Sequence, residues 1–332
     1  MTNNNIKSFN IKTNISNFHC MEWISDDLIC GHDNGVTVYR KQTDFQPTFI
    51  PLSQPAIHIA ASRNQRYLAV SHPDCTISLI DFDTSSDQIE PVILESRSAH
   101  HSHIQSLAVS KHGIVASTSS DGILAIWTKD QTPRTISLNR TGNFLKFVGS
   151  PTLGKSDDRL LMLLNENAIR IIDLEQLQFI FNVYPFPPKQ SYYGHKDPQI
   201  DIIDISLDPS GTKLLALTKT NLLIWTLAEL TGGCAYTEPH LIADLWDKET
   251  VNTKNAVFQA RFSAFGDCFI ALFHTGTLTH IQLAHTSDVL QNARILPPIK
   301  TLYPHMPTVK DDGSMLTLFC NNELIMVSTT SG

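Results

Sequence analysis

No long apolar run occurs in the 332-residue sequence; runs such as "LLMLL" and "LIMV" have the length of a strand. A membrane-spanning helix needs ~20 apolar residues, so no membrane span is expected. The opening "MTNNNIKSFNIKTN" leads into no apolar segment, and no signal peptide is expected either. Cysteine is sparse: Cys20, Cys30, Cys75, Cys234, Cys268 and Cys320 are scattered, with no Cys-x-x-Cys pair. Without a secretory leader this usage predicts reduced thiols, in the cytoplasm and/or nucleus. Basic residues are in deficit, 25 Lys+Arg against 32 Asp+Glu, for a net charge of −7. A general nucleic-acid binder carries a basic footprint, so direct nucleic-acid binding is not expected. A Gly-x-Ser-x-Gly elbow is missing, and no compelling Cys-His pair takes its place. The acidic pairs Asp26/Asp27 and Asp311/Asp312 stand in turn contexts and read as solvated turn residues, not as an acid–base pair. No long amphipathic helix pattern competes with the strand pattern.

What the sequence does contain is a phrase that returns. In "IVASTSSDGILAIWTKD" an Asp-Gly turn joins two short apolar runs and Asp121 stands six positions before Trp127. "LICGHDNGVTVYRK" sets Asp33 six before Tyr39, "LAVSHPDCTISLIDFD" sets Asp74 six before Ile80, and "LLMLLNENAIRIIDLE" sets Glu166 six before Ile172. "LLALTKTNLLIWTLAE" keeps Trp225 without the acid, "FIALFHTGTLTHIQLA" has His274 and His280 in the two places, and "MLTLFCNNELIMVSTT" has asparagines in the turn. Each phrase is a hairpin signal, two β runs around a tight polar turn. Another apolar run precedes each, from "HCMEWI" to "LYPHMPTV", and several are followed by a further extended segment such as "PTFIPLS", "PVILES" or "ARILPPI".

The unit is therefore about four strands and ~40–50 residues, the size of a propeller blade. Seven units fit the chain, at about 17–54, 55–98, 100–140, 142–186, 195–247, 255–299 and 301–332. The last has three strands, and "IKSFNIKT", at 6–13, alternates as a strand should. Supplied as the outer strand of the last unit, it closes a ring and removes open edges. The expected fold is one all-β domain over 1–332, a seven-bladed β-propeller closed by its N-terminal strand.

This pattern resembles the WD-repeat β-propeller family. The likeness spans the whole chain and is fullest in "AHHSHIQSLAVSKHGIVASTSSDGILAIWT", where Ala99-His100 stands in the Gly-His place and Thr128 where the terminal Asp usually is. It implies a buried network on His100, Ser117, Asp121 and Trp127: the aspartate accepts from the histidine, the histidine meets the serine, and the serine takes the indole N–H. The fifth unit keeps His195, in "GHK", and Trp225. The other units keep the period and lose the network.

One motif points elsewhere. "GSPTLGKS", with Gly149, Gly154, Lys155 and Ser156, matches the P-loop pattern, in which backbone N–H groups, a lysine and a hydroxyl hold phosphates and Mg²⁺. A P-loop opens a helix at that point, whereas the repeat register asks for a hairpin between the first two strands of unit four. Nucleotide binding through these four residues is kept as an alternative. His19, Cys20, Cys30 and His32 fit no closed zinc pattern, and strand alternation sends adjacent His19 and Cys20 to opposite faces. In "HHSH", His100 belongs to the network and the rest reads as a solvated loop. No metal or cofactor is expected.

Recognition then falls to loops. "YPFPPKQSYYGHKDPQ", 184–199, carries Tyr184, Phe186, Tyr192, Tyr193 and Lys196 on a proline-stiffened connection, and aromatic anchors of this kind suit an interface. Trp246, at the end of "HLIADLW", joins them as a candidate partner contact. The Phe-Arg-Arg-Gly phrase of phosphoinositide-binding propellers and the Trp-Asp-x-Arg of ubiquitin-ligase receptors are not found. The expected function is a non-enzymatic scaffold, one protein among several in a larger assembly. An accessory subunit that positions RNA or chromatin for a catalytic partner is the other alternative.

Overall fold

A computed structural model describes residues 8–13, 15, 18–24, 26–62, 64, 66–82, 92–94, 99–128, 131–138, 142–150, 155–165, 168–183, 202–207, 212–218, 221–226, 241–244, 257–262, 268–275, 278–285, 294–295, 299–300, 305–310, 315–320 and 323–328. These residues are all-β: they contain no α-helix, and a single 3₁₀ turn, Lys41–Thr43, interrupts the strands. None of their helices is long and apolar enough to cross a membrane.

The strands form antiparallel sheets that follow the chain in order. Sheet 1 holds Phe18–Ile24, Asp27–His32, Gly35–Arg40 and Gln46–Pro51. Sheet 2 holds His58–Ala61, Tyr67–Ser71, Ile77–Asp81 and Val92–Leu94. Sheet 3 holds Ile104–Val109, Val115–Ser119, Ile123–Thr128 and Gln131–Ser137. Sheet 4 holds Gly142–Ser150, Lys155–Asn165, Ala168–Asp173 and Gln178–Val183. Sheet 5 holds Ile202–Leu207, Lys213–Thr218, Asn221–Thr226 and Leu241–Asp244. Sheet 6 holds Val257–Phe262, Cys268–Thr275, Leu278–His285 and Arg294–Ile295, and Ile299–Lys300 also pairs with its third strand. Sheet 7 holds His305–Val309, Met315–Cys320 and Glu323–Ser328, and its fourth strand is the N-terminal Ser8–Lys12, with Asn10 opposite Ile325.

Turn chemistry explains where the hairpins fold. In sheet 1, His32 pairs with Gly35 across Asp33-Asn34, a two-residue loop. Gly35 sits at φ +142, and a Cβ there would collide with the Ile50 carbonyl of the outer strand. In sheet 3 the Asp121 carboxylate accepts the Ile123 N–H, while the Gly122 N–H donates back to the Ser119 carbonyl at 3.1 Å. The sixth unit differs from expectation: Thr275 pairs directly with Leu278, so His274 lies within the ladder, opposite Thr279, and not in a turn.

A second repeat feature is carried by the backbone. The first strand of sheets 1, 3, 4, 5, 6 and 7 breaks register near its start, between Phe18/Cys20, Ile104/Ser106, Asn143/Leu145, Ile202/Asp204, Val257/Gln259 and His305/Thr308. A bulge adds twist and re-aims the side chain it carries. In sheet 1 that side chain is His19, which turns outward while its neighbours Phe18 and Cys20 are buried.

Apolar clusters join consecutive sheets face to face. Ile29, Val36 and Val38 of sheet 1 pack with Leu68, Val70 and Ile80 of sheet 2. Ile77 and Leu79 meet Ile104, Leu107 and Trp127 of sheet 3. Leu124 and Ile126 meet Leu145 and Ile172 of sheet 4. Met162, Ile169 and Ile171 meet Ile205, Leu214 and Trp225 of sheet 5. The first strands of sheets 5 and 6 lie against each other. At the other end of the chain, Leu324 and Met326 of sheet 7 pack on Trp23, Leu28 and Tyr39 of sheet 1. Each such side chain contributes about 1.5–3 kcal/mol on full burial, so these inter-sheet seams hold the fold. Lys310 and Asp26 add an ion pair at 2.6 Å across the seam between sheets 7 and 1.

Candidate functional site

The polar interior of sheet 3 forms around Ser117, in the second strand. Its hydroxyl accepts the Trp127 indole N–H at 2.7 Å and bonds His100 Nε2 at 2.7 Å. All three residues are buried. Asp121 is arranged differently from the network the resemblance implies. Its carboxylate accepts the backbone N–H of His101 at 3.0 Å and the Ser119 hydroxyl, not the His100 ring. His100 Nδ1 is buried with no hydrogen-bond partner. Asp121 therefore ties down the turn and the incoming chain, and acts on the imidazole only through its charge. Burial lowers the His100 pKa, against the pull of Asp121. Burial raises the Asp121 carboxyl, but the Ser119, His101 and Ile123 hydrogen bonds outweigh it and the net shift is downward.

Sheets 1 and 2 hold buried imidazoles of their own that sequence reasoning missed. His72 lies just past the second strand of sheet 2, its Nε2 2.7 Å from Ser78 Oγ and its Nδ1 2.9 Å from the Pro55 carbonyl. His32 ends the second strand of sheet 1 and meets Thr37 Oγ1 at 3.0 Å. In both, the hydroxyl comes from the third strand. The available signal was the spacing of a histidine five or six residues before a hydroxyl, across a hairpin turn.

The zinc-type donors are all engaged elsewhere. His19 Nε2 lies 2.6 Å from Asp33 Oδ1. The Cys20 thiol donates to the Ala56 carbonyl, and burial pushes its pKa up to about 12. Burial raises Cys30 as well, and His32 is held by Thr37. Among the described residues no group of three His, Cys, Asp or Glu is placed to hold a metal ion.

At the P-loop-like motif, Gly149 is the penultimate residue of the strand Gly142–Ser150, and Lys155 and Ser156 open the strand Lys155–Asn165, with Ser150 opposite Lys155. A strand stands where a P-loop needs a helix N-terminus, because the run after Lys155 is claimed by pairing with both neighbours. Gly154 lies outside the described residues. So do the partner-contact candidates Tyr184, Phe186, Tyr192, Tyr193, Lys196 and Trp246, together with His195. Trp225 is fully buried in the seam between sheets 4 and 5.

At the opposite end of sheet 1 from these histidines, a cavity of about 580 Å³ opens between sheets 1 and 2. Ile24, Ile29, Val38 and Phe82 give it an apolar floor, and Asp26, Asp27, Arg40, Lys41 and Gln42 give it a polar rim. Asp26 bonds Lys310 at 2.6 Å and Lys41 at 3.2 Å, and these two hydrogen bonds lower its pKa. Asp27 Oδ1 accepts the Lys41 backbone N–H at 3.1 Å.

No family model and no curated protein matches the chain.

Proposed function

We propose that the chain is a seven-bladed, WD-repeat-like β-propeller that serves as a non-enzymatic scaffold in a multiprotein complex of the cytoplasm and/or nucleus. The observation that carries this reading is the succession of sheets. They follow the chain in order, sheets 1 to 5 share apolar seams, sheet 7 packs on sheet 1, and the N-terminal strand lies in the same sheet as the last three. A chain whose first sheet packs on both the second and the last favours a ring over a row. A stiff ring offers several loop clusters at once and loses little conformational freedom on binding, which suits a scaffold. The buried histidines support the same reading. Each satisfies a hydroxyl inside a sheet, so they act as interior braces and not as a reaction centre.

The test is purification of the tagged full-length chain from its own cells, with cross-linking and mass spectrometry. The reading expects stoichiometric partners cross-linked to propeller loops, including 184–199. A protein recovered alone, with no partner above background, overturns it. A nucleic-acid complex with steep salt dependence would replace it by the RNA- or chromatin-positioning role.

A further inference from the structure

We infer that the cavity between sheets 1 and 2 docks a partner polypeptide that presents a carboxylate beside a large apolar side chain. The inference rests on the scaffold reading and names the chemistry of one partner segment.

Arg40 decides the ligand's charge. Its Nε is buried with no hydrogen-bond partner, and among the described residues no carboxylate pairs with its guanidinium. The two acids of the rim are already engaged, Asp26 by Lys310 and Lys41, and Asp27 by the Lys41 backbone. Among the described residues the rim carries Arg40 and Lys41 against Asp26 and Asp27, and Lys310, beside the rim, adds a third cation through its ion pair with Asp26, so the local balance is positive on a chain whose net charge is −7. A buried N–H without an acceptor is costly, and a carboxylate is the best-matched partner of a guanidinium, because the fork of donors fits two oxygens.

The floor decides the rest of the ligand. Ile24, Ile29 and Val38 are held rigidly in the sheet 1–sheet 2 seam, and Phe82 packs against them. About 580 Å³ falls within the roughly 300–1,000 Å³ of pre-formed ligand sites. That volume takes a leucine- or phenylalanine-sized side chain together with its neighbours. Gln42 supplies an amide on the rim for a peptide backbone. A peptide Glu next to Leu or Phe meets all three requirements.

The probes are acetyl-Leu-Glu-Phe-amide, its Gln and Lys counterparts, and free hexanoate, titrated into the full chain and followed by ligand-observed nuclear magnetic resonance. The expected result is saturable binding of the Glu peptide, with Kd rising about tenfold for the Gln peptide, as loss of a charge-assisted pair predicts. Arg40→Gln should erase that difference. Equal binding of Glu and Gln peptides to the native chain overturns the inference, and this arm needs no variant. So does hexanoate binding as tightly as the Glu peptide, which would make the cavity a free-acid site, and so does the absence of saturation by any probe. Partners retained in full by Arg40→Gln in the purification above would sink the docking site and leave the scaffold standing. No partners with either chain would sink the scaffold itself.

Discussion

In sheet 3 the Trp127 indole donates to Ser117, and the same hydroxyl bonds His100. In sheet 1 the Trp23 indole is buried with its N–H unpartnered, and the buried imidazole, His32, bonds Thr37 on the third strand. Both sheets nevertheless run four antiparallel strands in the same order, with a bulge near the start of the first. The polar network is thus one way to fill the interior of this unit and not the cause of its shape. The shape comes from strand pairing and the apolar seams between sheets; the network lowers the cost of burying an indole and an imidazole together.

The largest break in this comparison is Trp127→Ala, expected to cost about 3–5 kcal/mol in denaturant unfolding, because it empties part of the seam between sheets 2 and 3. Ser117→Ala should cost about 1–3 kcal/mol, since it strands both the indole N–H and the imidazole in a dry interior. Thr37→Val keeps the shape and strands only the His32 Nε2, whose ring keeps the Asn34 N–H on Nδ1, so its cost should be smaller, about 1 kcal/mol. Trp23→Phe removes a donor that bonds nothing and should fall within about 1 kcal/mol of the native chain. If Trp23→Phe proved as damaging as Ser117→Ala, the contrast between the two sheets would be lost.

Acid should act on sheets 1, 2 and 3 together. Burial lowers the pKa of His32, His58 and His100 from the ordinary 6.5. The folded chain then holds these rings neutral while the unfolded chain takes up protons. Stability is complete above about pH 6.5 and falls as pH drops through that value toward the lower folded-state pKa values. A urea midpoint measured from pH 8 to pH 5 should decline over the acid half of that range. Replacing His100 with Gln should flatten part of the decline. The smallest effect is expected from Lys310→Ala. Asp26 is nearly half-exposed and keeps Lys41, so the loss should stay below about 1 kcal/mol and shrink with added salt.

Much of the architecture was legible in the residues. Two-residue and Asp-Gly turns announced the hairpins, and extended runs such as "PTFIPLS" and "PVILES" became the outer strands Gln46–Pro51 and Val92–Leu94. The alternating "IKSFNIKT" became the strand beside Glu323–Ser328. The bulges were not legible, since an extra residue in a first strand leaves no mark in composition. Two points of detail went the other way. Asp121 was expected on the His100 ring and takes the His101 backbone instead, a choice of hydrogen-bond partner that spacing cannot resolve. His274 was expected in a turn and lies in a strand, because the ladder continues one pair beyond it, to Thr275 opposite Leu278. The cavity was the least legible feature. Arg40, Asp26 and Phe82 are distant or unremarkable in sequence, and only the seam between two sheets brings them to one rim.

The proposal at the centre of this account is a ring closed where the strand Ser8–Lys12 joins Glu323–Ser328 in one sheet. Asn10→Cys with Ile325→Cys tests it most directly, since these residues stand opposite each other on neighbouring strands. Mild oxidation of the monomer should give a rapid intramolecular disulfide, mapped by mass spectrometry, and a higher unfolding midpoint. Cross-links only between separate molecules, or no cross-link while the protein stays folded, would contradict closure.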